Sequence, residues 1–150
     1  MPIYTGNVFD GKKHKNKGLI RVLTLSRLSD NTGKKPDPKL WMPQQSDLYD
    51  VYIPVLAPNE KDVREWYQNS LPWEEFSNRY FKKIHDDYSL PFLIDLTRKA
   101  VEEDQHPDRK GVILQCVCKE SHFCHRSLLA SEIERRAKDI YNHDLILNNI

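Results

Sequence analysis

Long apolar runs are missing from this 150-residue chain, since none approaches the roughly 20 residues that a membrane-spanning helix needs. The first six residues, Met1–Gly6, also lack the charged and apolar regions of a secretory signal peptide. Net charge is almost absent, because 23 basic residues are balanced by 22 acidic ones, which argues against a general nucleic-acid coat. The 39% hydrophobic fraction argues against disorder. We therefore expect a cytoplasmic protein with no membrane partner.

Cysteine is scarce and clustered. The three cysteines, Cys116, Cys118 and Cys124, fall within nine residues, and their number is odd. Cys116 and Cys118 lie two apart in a strand-like run, so they share one face and cannot easily reach each other for a disulfide. This pattern predicts free thiols in a reducing compartment.

The near-zero net charge hides an uneven distribution. Residues 1–40 hold nine basic and three acidic residues, residues 41–108 seven and fourteen, and residues 109–150 seven and five. The basic first part contains a lysine run made of Lys12, Lys13, Lys15 and Lys17. We expect this run to be a solvated loop; the alternative is an arm that attracts phosphates.

Strand and helix signals alternate along the chain. Strands are predicted at residues 19–25, 48–53, 111–118 and 144–147, and helices after Asn59, Ser70 and Pro91 and over 124–137. A loop is expected at 31–43 and a polar connection at 102–109. The run 111–118 is apolar on both faces, as in a central parallel strand. We predict a single α/β domain over residues 1–150, with a mainly parallel sheet flanked by helices.

Each predicted helix carries an apolar stripe, which we assign to core packing in preference to a base-stacking platform. Asn59 and Asp62 form a capping-box-like pair at the first of these helices. The stripes are Val63, Trp66 and Tyr67; Trp73, Phe76, Tyr80, Phe81 and Ile84; Phe92, Leu93, Leu96 and Ala100; and Leu128, Leu129, Ile133 and Ile140.

The segment 118–127 leads from the predicted central strand into the last helix. Ligands of parallel sheets bind beyond the carboxyl ends of the strands, and a helix start suits an anion. Helical phase puts His125 and Arg126 on either side of the stripe centred on Leu129 and Ile133. Arg126 can then act as a bidentate donor to an oxyanion.

Three other interpretations of this turn are open. In a structural one, His125 bonds a backbone carbonyl and Arg126 pairs with an acidic residue of the middle segment. In the second, a metal is bound by some of Cys116, Cys118, His122, Cys124 and His125, although the spacing lacks paired C-x2-C knuckles. In the third, Cys124 is a nucleophile, but Arg126 follows it too closely for a phosphatase-type loop. We favour oxyanion binding and expect no metal and no cofactor.

The same residues carry a family resemblance. The strand 112–118 and the Cys-His-Arg-Ser start at 124–127 resemble the C-terminal signature of the bacterial domain of unknown function 488 family, DUF488. Upstream segments are similar to patterns of one branch of it: residues 56–59 with 63–67, residues 73–76 with Arg79 and Tyr80, and residues 21–23 with 26–28. The resemblance implies one compact α/β domain in which Arg27 and Arg126 approach one pocket. It supplies no reaction.

These observations lead to a first functional hypothesis, a small enzyme or sensor that binds a phosphorylated or nucleotide-like ligand. The anion would be held by Arg126 and Ser127, with Arg27 and Arg64 approaching from neighbouring elements. His122 or His125 is the candidate general acid or base, and Cys124 is a weaker candidate nucleophile.

Two hypotheses from other classes remain. A nucleic-acid-binding or processing module would use Lys12, Lys13, Lys15 and Lys17. A protein-interaction factor would use the acidic middle helices, including Glu74 and Glu75.

Overall fold

The strands form one parallel sheet in a computed structural model that describes residues 2–7, 10–24, 50–105, 111–116 and 124–149. They are β1 (Pro2–Asn7), β2 (Ile20–Leu23), β3 (Val51–Tyr52), β4 (Val112–Cys116) and β5 (Ile146–Asn149). Their order is β3-β2-β4-β1-β5, and every neighbouring pair runs parallel. An α/β fold with helices flanking a parallel sheet is thereby confirmed.

Five α-helices and a short 3₁₀ turn, Pro54–Leu56, connect the described strands. The helices are α1 (Gly11–Asn16), α2 (Glu60–Tyr67), α3 (Trp73–Ile84), α4 (Leu90–Gln105) and α5 (His125–Tyr141). Helix α5 packs on β1, β4 and β5, with α3 and α4 against it. No helix of the described part of the chain is long and apolar enough to cross a membrane.

Strand β4 is buried along its whole length, as its apolar sequence predicts for a central strand. Side chains alternate between the two faces of a strand. Val112 and Leu114 point into the main core with Leu129 and Ile133 of α5. Gln115 points to the opposite face, where α1 lies. Cys116 therefore belongs to the α5 face, in phase with Leu114.

Two segments of the basic first part differ from the expectations. The lysine run forms helix α1 instead of a loop, because His14 is buried beneath it against the sheet. Strand β1 was not predicted at all, although Ile3 and Thr5 are buried as in an inner strand. The predicted loop at 31–43 lies outside the described residues.

The predicted ends of α4 and α5 differ from the structure, and so does the predicted burial of three residues in the apolar stripes. Residues 102–105 continue α4, where Glu103 is buried and paired with Lys99 at 3.5 Å, instead of forming a connection. Helix α5 runs to Tyr141 and ends at Asn142, whose φ of 49° is left-handed and suits asparagine. Three predicted core residues, Tyr67, Phe92 and Ile140, are exposed at 65%, 42% and 55%.

The predicted capping pair is wrong in its bonding. Asn59 is the N-cap residue of α2, but its side chain makes no capping hydrogen bond within the described structure. The Asp62 carboxylate instead accepts a hydrogen bond at 2.9 Å from Arg79 of α3. This bond ties α2 to α3, because it joins side chains of the two helices.

We predict that Ile133→Ala destabilises the protein far more than Ile140→Ala, since the two isoleucines lie on the same side of α5 but differ in burial. Ile133 is fully buried, so its truncation should cost about 2–5 kcal/mol of unfolding free energy. The exposed Ile140 should cost less than about 0.5 kcal/mol. Urea unfolding of both variants measures the difference, and equal costs would contradict this difference in burial.

Candidate functional site

The candidate site lies where the carboxyl ends of three neighbouring strands meet the start of α5. Asn7 of β1 is level with Cys116 of β4, and Leu23 of β2 is level with Gln115. Thr24, which follows β2, is therefore next to the end of β4. Parallel topology produces this meeting, because all strands end at the same edge of the sheet.

Two thiols and one imidazole form a buried cluster at this edge. The sulfurs of Cys116 and Cys124 lie 3.8 Å and 3.7 Å from Nδ1 of His125. Cys124 is the N-cap residue of α5 and His125 is its first residue. All three are at most 3% exposed, and one ligand atom from each lies within 4.8 Å of the others.

The opposite nitrogen of His125 fixes the orientation of the ring. Its Nε2 lies 2.8 Å from the Thr24 carbonyl oxygen and 3.1 Å from Thr24 Oγ1. A carbonyl only accepts, so Nε2 carries the proton and donates it. In the neutral imidazole, the lone pair of Nδ1 is then directed towards the two sulfurs.

Tyr80 of α3 closes the apolar side of this cluster. Its ring meets the His125 imidazole edge-on, with ring centres 5.6 Å apart, and its hydroxyl donates to the Leu56 carbonyl at 2.7 Å. Burial raises the pKa of Tyr80 well above its usual range, and the sulfurs of Cys124 and Cys116 add to the shift. Tyr80 is therefore a neutral donor at neutral pH.

Arg126 places a cation beside the cluster. It is 4% exposed, and its Nη1 donates to the Gly6 carbonyl of β1 at 2.9 Å. Its Nε is buried without a hydrogen-bond partner among the described residues, and no carboxylate in the described ranges pairs with it. A buried guanidinium without a counter-charge is costly in folding free energy.

Gly6 couples this arginine to helix α1. A Cβ at Gly6 would lie 2.9 Å from Cε1 and Nε2 of His14 and 2.8 Å from Cδ1 of Ile113, so any larger residue there would force these side chains to shift. His14 Nδ1 also lies 3.1 Å from Gln115 Nε2. The lysine-bearing helix is thus held directly behind the strand end that Arg126 contacts.

The electrostatic state of His14 follows from this packing. Burial lowers the pKa of His14 below its usual range; Asp10 opposes the shift, while Lys17 and Lys13 reinforce it. His14 is consequently neutral at neutral pH, with Nδ1 available to accept from the Gln115 amide.

Of the other predicted site residues, Ser127 lies at the start of α5, Arg64 lies on α2, and the rest are outside the described residues. Ser127 is half-buried in the first turn of α5, and its N–H donates to the Cys124 carbonyl at 3.1 Å. Arg64 is exposed on α2, and no described hydrogen bond or ion pair joins it to residues 124–127. Arg27 and His122 lie outside the described residues, as does Cys118.

The structural interpretation of the turn, in which His125 bonds a carbonyl and Arg126 pairs with an acidic residue, agrees with the structure at His125 but not at Arg126. His125 does bond a backbone carbonyl, that of Thr24. Arg126 also bonds a carbonyl instead of pairing with a described acidic residue of the middle segment. Of the five cysteines and histidines considered as metal ligands, three meet in the described cluster.

Comparison with known proteins identifies the same family that the sequence resembles. The family model DUF488-N3a, described as the active DUF488-N3 subclade, matches residues 9–137. The chain belongs to the DUF488 family. The match includes α1 and the start of α5, whereas Gly6 lies before it. No curated protein and no solved structure matches this DUF488 chain.

Three residues of the candidate site, Thr24, Gly6 and Tyr80, were not predicted from the sequence as part of it. Thr24 could have been found from the rule that parallel strands end at the ligand edge. Gly6 carries no such signal, because its role depends on the tertiary approach of His14. Tyr80 was assigned to the core, which is correct, but its contact with His125 depends on how α3 packs on α5.

We predict that stability falls as the pH drops from about 7 to about 5, and falls less in His14→Gln. The folded protein keeps His14 neutral, whereas the unfolded chain binds a proton near its ordinary pKa of about 6.5, so acid favours unfolding. Urea unfolding across this range measures the effect. An equally steep dependence in the variant would contradict it, as would an NMR titration of His14 above the ordinary value.

Proposed function

We propose that this DUF488 chain binds a phosphorylated or nucleotide-like anion at the start of α5. The observation that carries the proposal is Arg126, a buried guanidinium whose Nε has no hydrogen-bond partner among the described residues. A phosphoryl oxygen would supply both the missing acceptor and the missing negative charge.

The position of Arg126 supports an anionic ligand. It is the second residue of a 17-residue helix, whose first N–H groups and positive dipole end favour negative charge. The first turn of α5 contains no acidic residue that would compete with a ligand. Ser127 adds a hydroxyl in the same turn. Phosphate is the simplest group that uses all of these donors.

Helix α1 adds a longer-range attraction. Its lysines are exposed, while His14 holds the helix against Gly6, the residue that accepts from Arg126. Positive charge near a cleft raises the local concentration of anions and speeds their association. Arg27 and Arg64 remain predicted contributors, and the catalytic roles of His125, His122 and Cys124 remain predictions.

We predict that Arg126→Ala abolishes stabilisation of the protein by phosphorylated compounds. For wild type, a compound at a hundredfold excess over its dissociation constant should add about 2.7 kcal/mol to the unfolding free energy. Thermal-shift assays with inorganic phosphate, ribose 5-phosphate and AMP measure the effect. Arg126→Lys, which keeps the charge, should retain part of it.

The control is Arg98→Ala, because Arg98 is exposed on α4 and pairs with Asp95 there. It should respond to these compounds as wild type does. Equal responses of wild type and Arg126→Ala to every compound would remove the basis for the proposal. Circular dichroism of each variant establishes that it is folded before binding is compared.

A second candidate function is nucleic-acid binding through α1. It is favoured by one observation: Lys12, Lys13, Lys15 and Lys17 are all exposed on or directly after one short helix. Such a concentration of charge contacts phosphates without reading sequence. The third candidate, a protein partner at Glu74 and Glu75, rests on two exposed carboxylates in the first turn of α3.

For the nucleic-acid candidate, replacing those four lysines by glutamine should weaken oligonucleotide binding and its salt dependence. Each lost phosphate contact lowers the slope of log K against log salt by about 0.9 on duplex DNA, so the total change for four lysines should approach about 3.6. A matched control replaces four exposed lysines elsewhere, Lys61, Lys82, Lys99 and Lys138. Fluorescence anisotropy at several salt concentrations measures both. Identical slopes for the two quadruple variants would exclude α1 as the binding surface.

A further inference from the structure

We infer that Cys116, Cys124 and His125 bind a thiolate-preferring divalent cation, with Zn²⁺ as the best match. The residues come from the end of β4 and the start of α5, so the cation would join these two elements. The inference is independent of the proposed anion site, because no atom of Arg126 takes part in it.

The distances within the cluster match a tetrahedral centre. Zinc lies about 2.3 Å from a cysteine sulfur and about 2.0 Å from a histidine nitrogen, so tetrahedral angles separate these two ligand atoms by about 3.5 Å. The observed separations from His125 Nδ1 are 3.8 Å to Cys116 Sγ and 3.7 Å to Cys124 Sγ. Shifts of a few tenths of an ångström would therefore bring both sulfurs to the tetrahedral separation from Nδ1.

The partner of the second imidazole nitrogen is an independent indication. Histidines that bind metals usually donate their other N–H to a carbonyl or carboxylate, which fixes the ring and directs the free lone pair at the metal. His125 has this arrangement, since Nε2 lies 2.8 Å from the Thr24 carbonyl oxygen and Nδ1 faces both sulfurs. Tyr80 packs against the ring and limits its rotation.

Charge also favours zinc at this depth. All three side chains are at most 3% exposed, so a net charge at the cluster would be strongly penalised. Two thiolates, one neutral imidazole and one divalent cation sum to zero. Thiolate ligands select zinc and similar soft metals, whereas magnesium and calcium prefer oxygen ligands.

Two arrangements without metal compete with this one. The thiols could donate weak S–H hydrogen bonds to Nδ1, which offers one lone pair for two sulfurs. Alternatively, Cys116 and Cys124 could be oxidised to a disulfide.

Three protein ligands leave one tetrahedral position, which zinc proteins fill with water, a substrate or a fourth side chain.

The first experiment uses the complete chain purified under reducing conditions without chelators. Elemental analysis should find about one zinc per chain, and removal of zinc by a chelator should lower the melting temperature, since the cation binds the folded state more tightly than the unfolded chain. Replacement by Co²⁺ should give the near-ultraviolet absorption of thiolate-to-cobalt charge transfer. These measurements need no variant, so they hold even where a buried substitution prevents folding.

Variants then assign the ligands. Cys116→Ser, Cys124→Ser and His125→Asn should each weaken Zn²⁺ binding more than about tenfold in competition with a chromophoric chelator. The matched control is His85→Asn, whose imidazole binds Glu132 and is 35% exposed. It should bind zinc as wild type does.

Four results would overturn the inference. Wild type that retains no Zn²⁺ after loading and desalting has no such site. A Co²⁺ form without thiolate charge transfer, or undiminished zinc binding in all three ligand variants, places any cation elsewhere. In a Cys118→Ser variant, a mass two hydrogens below the thiol form, measured without reductant, identifies a disulfide between Cys116 and Cys124 instead. Arg126→Ala that binds zinc but not phosphate separates this site from the proposed function.

Discussion

The start of α5 depends on one hydrogen bond, in which His125 Nε2 donates to the carbonyl of Thr24 at 2.8 Å. This bond joins the first residue of the helix to the end of a neighbouring strand. It brings Nδ1 to Cys116 and Cys124 on one side. It also sets the helical phase that buries Arg126 next to β1. The positions of Arg126 and Ser127 follow from this fixed helix start, because they are the next residues of the same helix.

Two kinds of polar group are buried together at this edge, and they differ in charge. Arg126 brings a positive charge that no described carboxylate balances, which favours an anionic ligand. The cysteine–histidine cluster is neutral as thiols or as a zinc complex, so it adds no charge to that demand. Helix α1 increases the positive potential from behind the sheet, since His14 and Gly6 hold it there. The near-zero net charge of the chain is therefore a poor guide to the charge at its site.

The parts of the fold that local patterns predicted are those whose burial is uniform. Strand β4 is apolar on both faces, so its central place could be predicted from its residues. Helix burial was harder to predict: Ile133 and Ile140 have the same chemistry and lie on the same side of α5, yet Ile133 is fully buried and Ile140 is 55% exposed. Helix α1 could not be predicted from an apolar stripe, since its buried residues are Gly11 and the polar His14.

The sequence by itself determined the α/β class, the strand-to-helix turn and the presence there of cysteine, histidine and arginine. Those properties depend on residue order within one segment, where periodicity and spacing are visible. Only the tertiary structure decided that Thr24 orients His125 and that Gly6 receives Arg126. Both partners lie about a hundred residues away in the chain, brought close by the order of parallel strands. Contacts between distant segments depend on strand order and register, which no local pattern of residues encodes.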